Sequence, residues 1–362
     1  MKLSDEQRIA VESKEKQIIV VSSAGSGKTR VLTERLKWLL DNGEDPSQIF
    51  AITFTNMAAE EMKQRIGDKS NGCYIGTIHG LANYILLRNG VDTSKVIDEE
   101  NFDQMFEMII DNHCKIPKVN HLLVDEFQDT GENEYNFLMF TLRPDHYFLI
   151  GDTRQKIYGF KTGPHDFFQE QIENPFTQVY ELVDNYRSHY EIIRFGGDMI
   201  KKVKNLYRTP TRCVKGPGGQ VIQEEFSWST LLKYLGKYPN YKDWFILCRT
   251  NQQVDNVLSF LKTVDIPAIT FRKSEKTLNE IKEDLDAAAV KVLTIHQSKG
   301  LESKYVMVYG AKFYNDEERR IDYVAATRAE ELLIWFEGND RSVSRKRKDI
   351  KQKTMMVMED WG

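Results

Sequence analysis

Three groups of residues in this chain have the types and spacing to work on phosphate. The first is the run 18–30, IIVVSSAGSGKTR, which leads into the helical pattern VLTERLKWLL. Small residues at Ser23, Ala24, Gly25, Ser26 and Gly27 let backbone N–H groups close on phosphate oxygens. Lys28 adds a point charge, and the Thr29 hydroxyl can hold Mg²⁺. Ser22 stands where such loops commonly begin with Gly. Gly-Lys-Thr alone is a weak signal, but an apolar strand before it and a helix after it point to nucleotide binding. The second group is HLLVDEFQDT at 121–130. Its apolar run places Asp125 and Glu126 at the C-terminal end of a strand, where ligands of open α/β sheets collect. Adjacent carboxylates there suit two jobs: Asp125 shares the Mg²⁺ shell with Thr29, and Glu126 polarises an attacking water as general base. The third group is Arg187 in NYRS and Arg328 in YVAATRA, positive charges able to meet a γ-phosphate as charge builds on it.

Those residues need a scaffold, and the patterning supplies one. Apolar runs alternate with helical stretches along the chain, which predicts α/β architecture with parallel sheets. In the first half, strands are expected at 18–21, 49–54, 74–77, 121–125 and 147–151, with helices such as 29–40 and 56–66. In the second half they are expected at 221–226, 244–248, 268–271, 291–294, 305–309 and 332–336. Residues 208–220 are rich in Pro and Gly and read as a long loop. Two α/β units thus meet near 180–190, with Arg187 and Arg328 in the second or at its entrance. If those arginines reach the phosphate, ATP binds in the cleft between the units and acts as a clamp.

Composition excludes several classes. Acidic and basic side chains nearly balance, at 54 and 50, so any nucleic-acid surface is local rather than global. Cys73, Cys114, Cys213 and Cys248 form no CxxC pair and read as reduced thiols of a cytoplasmic protein. No apolar run is long enough to span a membrane, and the N-terminus lacks a signal-peptide core. The segment 341–353, RSVSRKRKDIKQK, is basic. It reads as a solvated end or as a nucleic-acid or partner contact.

With these groups in place the chain resembles a superfamily 1A DNA helicase of the UvrD/Rep/PcrA type. The matching stretches run in family order: LSDEQRIAV (3–11), SSAGSGKTR (22–30), AITFTNMAAEEM (51–62), IGTIHGLA (75–82), VDEFQDT (124–130), GDTRQKIYGF (151–160), NYRS (185–188), ILCRTN (246–251), VLTIHQSKGLE (292–302) and ERRIDYVAATRA (318–329). The resemblance implies two tandem RecA-like parallel-sheet P-loop motor domains, at 1–183 and 184–340, followed by the basic tail 341–362. It implies that Gln7 reads the adenine edge and that Arg30 and Tyr186 sandwich its ring. Gln155 senses the γ-phosphate, Glu302 bonds the ribose, and Arg187 and Arg328 are arginine fingers. It also implies ATP and Mg²⁺ as cofactors, single-stranded DNA and its junctions with duplex as partners, and 3′→5′ travel in repair, replication or recombination.

Single-stranded DNA is gripped through backbone contacts and base stacking. The residues expected on that track are Thr53, Phe54, Asn56, Thr77, His79, Tyr158, Phe160, Lys161, Arg249 and His296. For Phe54 and Tyr158, core packing is the competing reading. Phe160 keeps the family's stacking aromatic, whereas Lys161 stands where an arginine is usual.

The departures are also informative. Relatives carry one large inserted domain where this chain has only 81–121, and another where it has 272–289. The first gap fits a few helices, such as 102–112, and the second one short helix at 278–285. A second reading follows: an ATP-gated DNA-binding or loading factor that translocates but needs a protein partner to unwind. A small-molecule kinase has no use for NYRS, TIHQSKG or YVAATRA. Ser303 stands where the family usually has Phe.

Overall fold

A computed structural model of the protein describes residues 2–159, 163, 165–204, 206–271, 278–310 and 315–337. The expected contacts Phe160 and Lys161 and the basic tail lie outside the described residues. The chain divides into two compact units: Met1–Tyr186 with Asn205–Arg212, and Arg187–Lys204 with Cys213–Gly362. Neither is continuous in sequence, because the chain leaves the first unit, returns to it, and leaves again.

The first unit runs α1 (Asp5–Glu12), β1 (Gln17–Ser22), α2 (Lys28–Asp41), β2 (Ile49–Ile52), α3 (Asn56–Ile66), β3 (Tyr74–Gly76), α4 (Ile78–Arg88), α5 (Ser94–Asp98), α6 (Gln104–Asp111), β4 (His121–Val124), α7 (Glu132–Asn136), β5 (His146–Gly151), α8 (Phe167–Glu173) and β6 (Gln178–Leu182). Its sheet has the order β3-β2-β4-β5-β1-β6, with every neighbouring pair parallel. Successive strand residues point to opposite faces, and both faces are covered. Ile18 and Val20 enter one apolar cluster while Ile19 and Val21 enter the other; Leu123 is separated from Leu122 and Val124 in the same way. This explains why the strands read as unbroken apolar runs rather than alternating ones. The edge strand β6, QVYEL, buries only its last residue fully, so its apolar signal is weak and the sequence reading omits it.

Helix α1 is closed at its start by a reciprocal pair: Ser4 Oγ accepts from Gln7 N and Gln7 Oε1 accepts from Ser4 N. Beyond its C-terminal end stands Arg35 of α2. One guanidinium nitrogen donates to the carbonyls of Val11 (2.7 Å) and Ser13 (2.6 Å), groups a helix end leaves without partners. The guanidinium also lies over the Trp38 ring at 4.7 Å. Burial pulls its pKa down to about 10, which still leaves it charged at neutral pH.

After β6, β7 (Asp184–Asn185) pairs with β8 (Arg212–Cys213), and α9 (Tyr190–Ile200) lies between them in sequence. The second unit continues with β9 (Gln220–Glu225), α10 (Trp228–Lys237), β10 (Trp244–Cys248), α11 (Asn251–Thr263), β11 (Ala268–Ile269), α12 (Leu278–Asp286), β12 (Val290–Thr294), β13 (Ser303–Tyr309), α13 (Asp316–Ala326) and β14 (Ala329–Glu337). Its sheet is also parallel throughout, in the order β11-β12-β10-β13-β14-β9. Trp244, Ile246, Val290, Val292, Met307, Leu332 and Ile334 share one core cluster. The expected loop 208–220 is interrupted by β8 and stops where β9 begins. Ser303 opens β13 buried, its hydroxyl donating to the Asp243 carbonyl. Among the described residues, no helix is long and apolar enough to cross a membrane.

Arg35→Leu should leave the Val11 and Ser13 carbonyls without a charged donor and lower stability by about 2–4 kcal/mol. Arg35→Lys should recover only part, since an ammonium cannot stack on Trp38 as a flat guanidinium does. Urea midpoints of the three proteins measure this; a Leu variant as stable as the parent would remove Arg35 from the anchoring of α1.

Candidate functional site

The loop between β1 and α2 is held from outside by its carbonyls. Asn185 Nδ2 donates to Ala24 O (2.6 Å), Tyr186 N to Gly25 O (2.9 Å) and Gln7 Nε2 to Ser26 O (2.9 Å). Gln7, expected at the adenine edge, thus rests on the loop. Ser22 is the last residue of β1, and its hydroxyl donates to Gly151 O at 2.8 Å, tying β1 to β5. Gly27 adopts φ 79°, a left-handed conformation costly for other residues, and from it α2 begins at Lys28. The first-turn N–H groups of α2 have no partners within their own helix. Ser23 Oγ and Ser26 Oγ are buried with no hydrogen-bond partner among the described residues. Orphaned hydroxyls beside a helix N-terminus fit phosphate oxygens, which would satisfy them.

Asp125 and Glu126 follow β4. Thr29 Oγ1 donates to Asp125 Oδ2 at 3.0 Å, and Lys28 Nζ lies 3.6 Å from Glu126 Oε1. Asp125 is buried, and that burial, with the neighbouring Glu126 charge, pushes its carboxyl up to about 6. Lys28, the Thr29 hydroxyl and the Glu126 N–H act in the opposite direction. Two carboxylates against one ammonium leave negative charge in a buried place, which suits a hard divalent cation. Among the described residues no group of three or more His, Cys, Asp or Glu could hold a metal ion. Such a cation would therefore take its other ligands from Thr29, phosphate and water, as Mg²⁺ does.

A polar circuit fixes these carboxylates. Gln128 Nε2 donates to Glu126 Oε2 (2.5 Å), and Gln128 Oε1 accepts from Asp152 N (3.0 Å). Asp152 in turn accepts from Arg154 N and Nε through Oδ1 and from Gln155 Nε2 (2.8 Å) through Oδ2. Arg154 also reaches Ser22 O (3.2 Å), Thr209 O (3.3 Å) and Thr211 Oγ1 (3.1 Å). The ends of β4, β5 and β1 are thereby locked together, and Gln155 is oriented within the lock. Glu126 itself sits at φ 51°, an unusual conformation for a residue with a side chain. Gln128, Asp152, Arg154 and Asn185 lie within the quoted motif stretches, but the sequence assigns them no role. The available signal was polar residues just past strand ends.

Tyr186 donates to Asp184 Oδ2 (3.2 Å), and Arg212 pairs with both Asp184 and Glu6. Arg30 is half-buried on the first turn of α2. In the second unit, Arg187, Glu302 and Arg328 come together around Thr327. Arg187 Nε pairs with Glu302 Oε2 and its Nη1 donates to Thr327 O (3.1 Å). Arg328, only 1% exposed, donates to Val324 O (3.0 Å), Leu301 O (3.1 Å) and Thr327 Oγ1 (3.3 Å). The Arg187 charge holds the Glu302 carboxyl below its ordinary pKa.

Of the residues expected on a DNA track, Phe54 and Asn56 are exposed, and Thr53 is buried with its hydroxyl on Thr55 O (2.9 Å). Phe54 packs against Tyr158 with ring centroids 5.2 Å apart, so it both packs and faces solvent. Thr77 caps α4 by accepting from Gly80 N. His79 Nε2 lies 2.9 Å from Asp103 Oδ1. In the second unit Arg249 forks onto Glu318 at 3.0 and 2.6 Å, and His296 is half-buried.

Comparison with known proteins adds a separate line. The UvrD/REP helicase N-terminal domain matches residues 3–118 and 114–176, and the UvrD-like helicase C-terminal domain matches 272–337. A probable DNA helicase of Mycoplasma pneumoniae is 27% identical over 92% of this chain and 82% of its own length. The ATP-dependent DNA helicase PcrA of Staphylococcus aureus is 25% identical over 69% of this chain, which spans about half of it, 48%. A solved structure of PRRSV helicase aligns with 91% of this chain and 54% of its own, at 14% identity and a TM-score of 0.48.

The circuit has a steric condition at Gly151. A Cβ there would run into Gln128 Oε1 and lie 3.1 Å from Phe168 Cζ. Gly151→Ala should destabilise the protein by about 1–3 kcal/mol through overpacking. Most of that loss should vanish in a Gln128→Ala background, because the two changes share one contact. Denaturant titration of the double-mutant cycle checks it; strict additivity would show that Gln128 is not what Gly151 makes room for.

Proposed function

The chain belongs to the UvrD/REP helicase family, and on that premise we propose that it is an ATP- and Mg²⁺-dependent translocase on single-stranded DNA that moves 3′→5′ and unwinds duplex. The observation that carries the reading is the set joined by Thr29, Asp125, Lys28 and Glu126, next to a loop with two orphaned serine hydroxyls.

The chemistry assigns a role to each group. The α2 N-terminus, Ser23, Ser26 and Lys28 bind and orient the phosphates. Bound Mg²⁺ supplies positive charge to the phosphate oxygens. Thr29 and Asp125 hold its shell, and their present hydrogen bond keeps both aimed at one point. Glu126 takes the proton of the attacking water. Gln128 holds the Glu126 carboxylate in place, so it is a positioning residue. Gln7, Arg30 and Tyr186 take the adenine, and Glu302 the ribose. Arg187 and Arg328 supply charge to the γ-phosphate as arginine fingers. Alternating grips by the two units on the strand turn that cycle into movement.

A second reading is favoured by one observation. Between α4 and β4 the chain has only two short helices, α5 and α6. So small an insertion between α4 and β4 fits an ATP-gated loading factor whose partner separates the strands.

Lys28→Ala and Glu126→Gln should each abolish DNA-stimulated hydrolysis, and retained turnover in either would sink the assignment. Gln128→Leu should cut turnover by roughly tenfold to a hundredfold while nucleotide affinity stays within a few-fold, the ordinary cost of losing an orienting partner. Substrate choice separates the two readings. Hydrolysis and strand release are followed together on single-stranded DNA, a 3′-tailed duplex and a 5′-tailed duplex. Release from the 3′-tailed duplex alone supports the autonomous helicase. Stimulated hydrolysis without release supports the loading factor.

A further inference from the structure

Two adjacent residues before α6 support it through their carbonyls, which accept from Met105 N and Phe106 N, but their side chains turn away from it. Asp103 occupies the N-cap of α6, where an aspartate ordinarily accepts from the first-turn N–H groups. Its side chain makes no capping bond, and its backbone is already helical at φ −65°, ψ −26°. The carboxylate goes instead to His79 Nε2 at 2.9 Å. Phe102 precedes the cap, the position from which an apolar residue staples onto the fourth residue of the helix. Here that residue is Glu107, so there is no apolar partner for a staple. The Phe102 ring is 40% exposed and lies 5.9 Å from the His79 ring. His79 also contacts Phe106 at 5.3 Å, and Phe106 stacks on Phe137 at 4.8 Å. A ladder of rings thus climbs from the core of the first unit and ends at Phe102 in solvent.

We propose that Phe102 and His79 form a stacking platform for a nucleobase of single-stranded nucleic acid, held in shape by Asp103. The inference rests on the reading of the chain as a single-strand translocase and extends the expected track from His79 to Phe102, which lies outside the family's motifs. The charge distribution decides which part of the strand lands there. Asp103 is 49% exposed, so a phosphate would meet a carboxylate, whereas the uncharged face of a base meets only rings. The contact of His79 Nε2 with Asp103 Oδ1 fixes the imidazole plane beside Phe102. A stacked base is sequence-tolerant, because every base has a π-face.

The test is an affinity measurement on the full chain with a fluorescein-labelled oligothymidylate over a range of salt concentrations. Phe102→Ala should weaken binding by about fivefold to a hundredfold, the loss of one aromatic–base stack. The slope of log affinity against log salt should not change, because no phosphate contact is removed. Phe102→Trp should restore binding, and hydrolysis without DNA should be unaffected by either change. On an oligonucleotide abasic throughout, parent and Phe102→Ala should bind alike. Unchanged affinity of Phe102→Ala for oligothymidylate overturns the platform, as does a loss that brings the salt slope down by about one phosphate contact. Absence of any binding by the parent protein overturns the translocase reading and the platform with it, so the two failures are distinguishable.

Discussion

The hydrogen bond from the Asp152 amide to Gln128 is the constraint on which the first unit's chemistry depends. Gln128 is buried and has one amide group to spend. Its oxygen is taken by the strand end of β5, and its nitrogen is therefore turned to Glu126. Asp152, completely buried, is neutralised by Arg154, which reaches back to the last carbonyl of β1. Three parallel strands thus present their C-terminal ends at fixed relative height. Lys28, Thr29, Asp125 and Glu126 come from two of them, so their spacing is set by the sheet rather than by loop flexibility. A buried polar network of this kind is favourable only when its members are satisfied. Within it, the glycine at 151 follows from the space Gln128 needs.

A common arrangement recurs at the groups expected to meet nucleic acid or nucleotide. Lys28 faces Glu126, Arg187 faces Glu302, and Arg249 forks onto Glu318. Each carboxylate occupies the geometry a phosphate oxygen would take at a cation. The pairing holds each cationic side chain in an ordered rotamer. It also sets a threshold, since an arriving phosphate must replace a partner and not merely meet a free charge. Arg187 with Glu302, whose carboxylate is 52% exposed, sets a low threshold, while the more buried pair of Lys28 with Glu126 sets a higher one.

The two sheets were legible because strands covered on both faces leave unbroken apolar runs, as at 18–21 and 121–124. The turn from β1 into α2 was legible because Gly27 takes a left-handed conformation that local geometry dictates. What could not be read depends on contacts across strands. Nothing near Gln128 in sequence says that its oxygen faces Asp152. Strand β6 was missed because an edge position lets it stay half-exposed, and the return of 205–212 to the first unit leaves no compositional mark. Phe102 reads as an ordinary apolar residue opening the expected helix 102–112; only the start of α6 at Gln104, the lack of an apolar partner at Glu107 and the distance to His79 separate it from that.

The interrupted order of the units carries a consequence for synthesis. Arg154 and Thr153 find carbonyl partners at Thr209 and Tyr207, more than fifty residues downstream and beyond α9. A nascent chain that has completed β6 therefore holds all six strands of its first sheet, yet lacks the groups that close the Arg154 end of the circuit. Domains ordinarily fold as units in the order they emerge. Here the earlier unit must wait for a piece delivered after part of the later one has been made. The Arg154 end of the circuit can close only after the chain through Thr209 has been made.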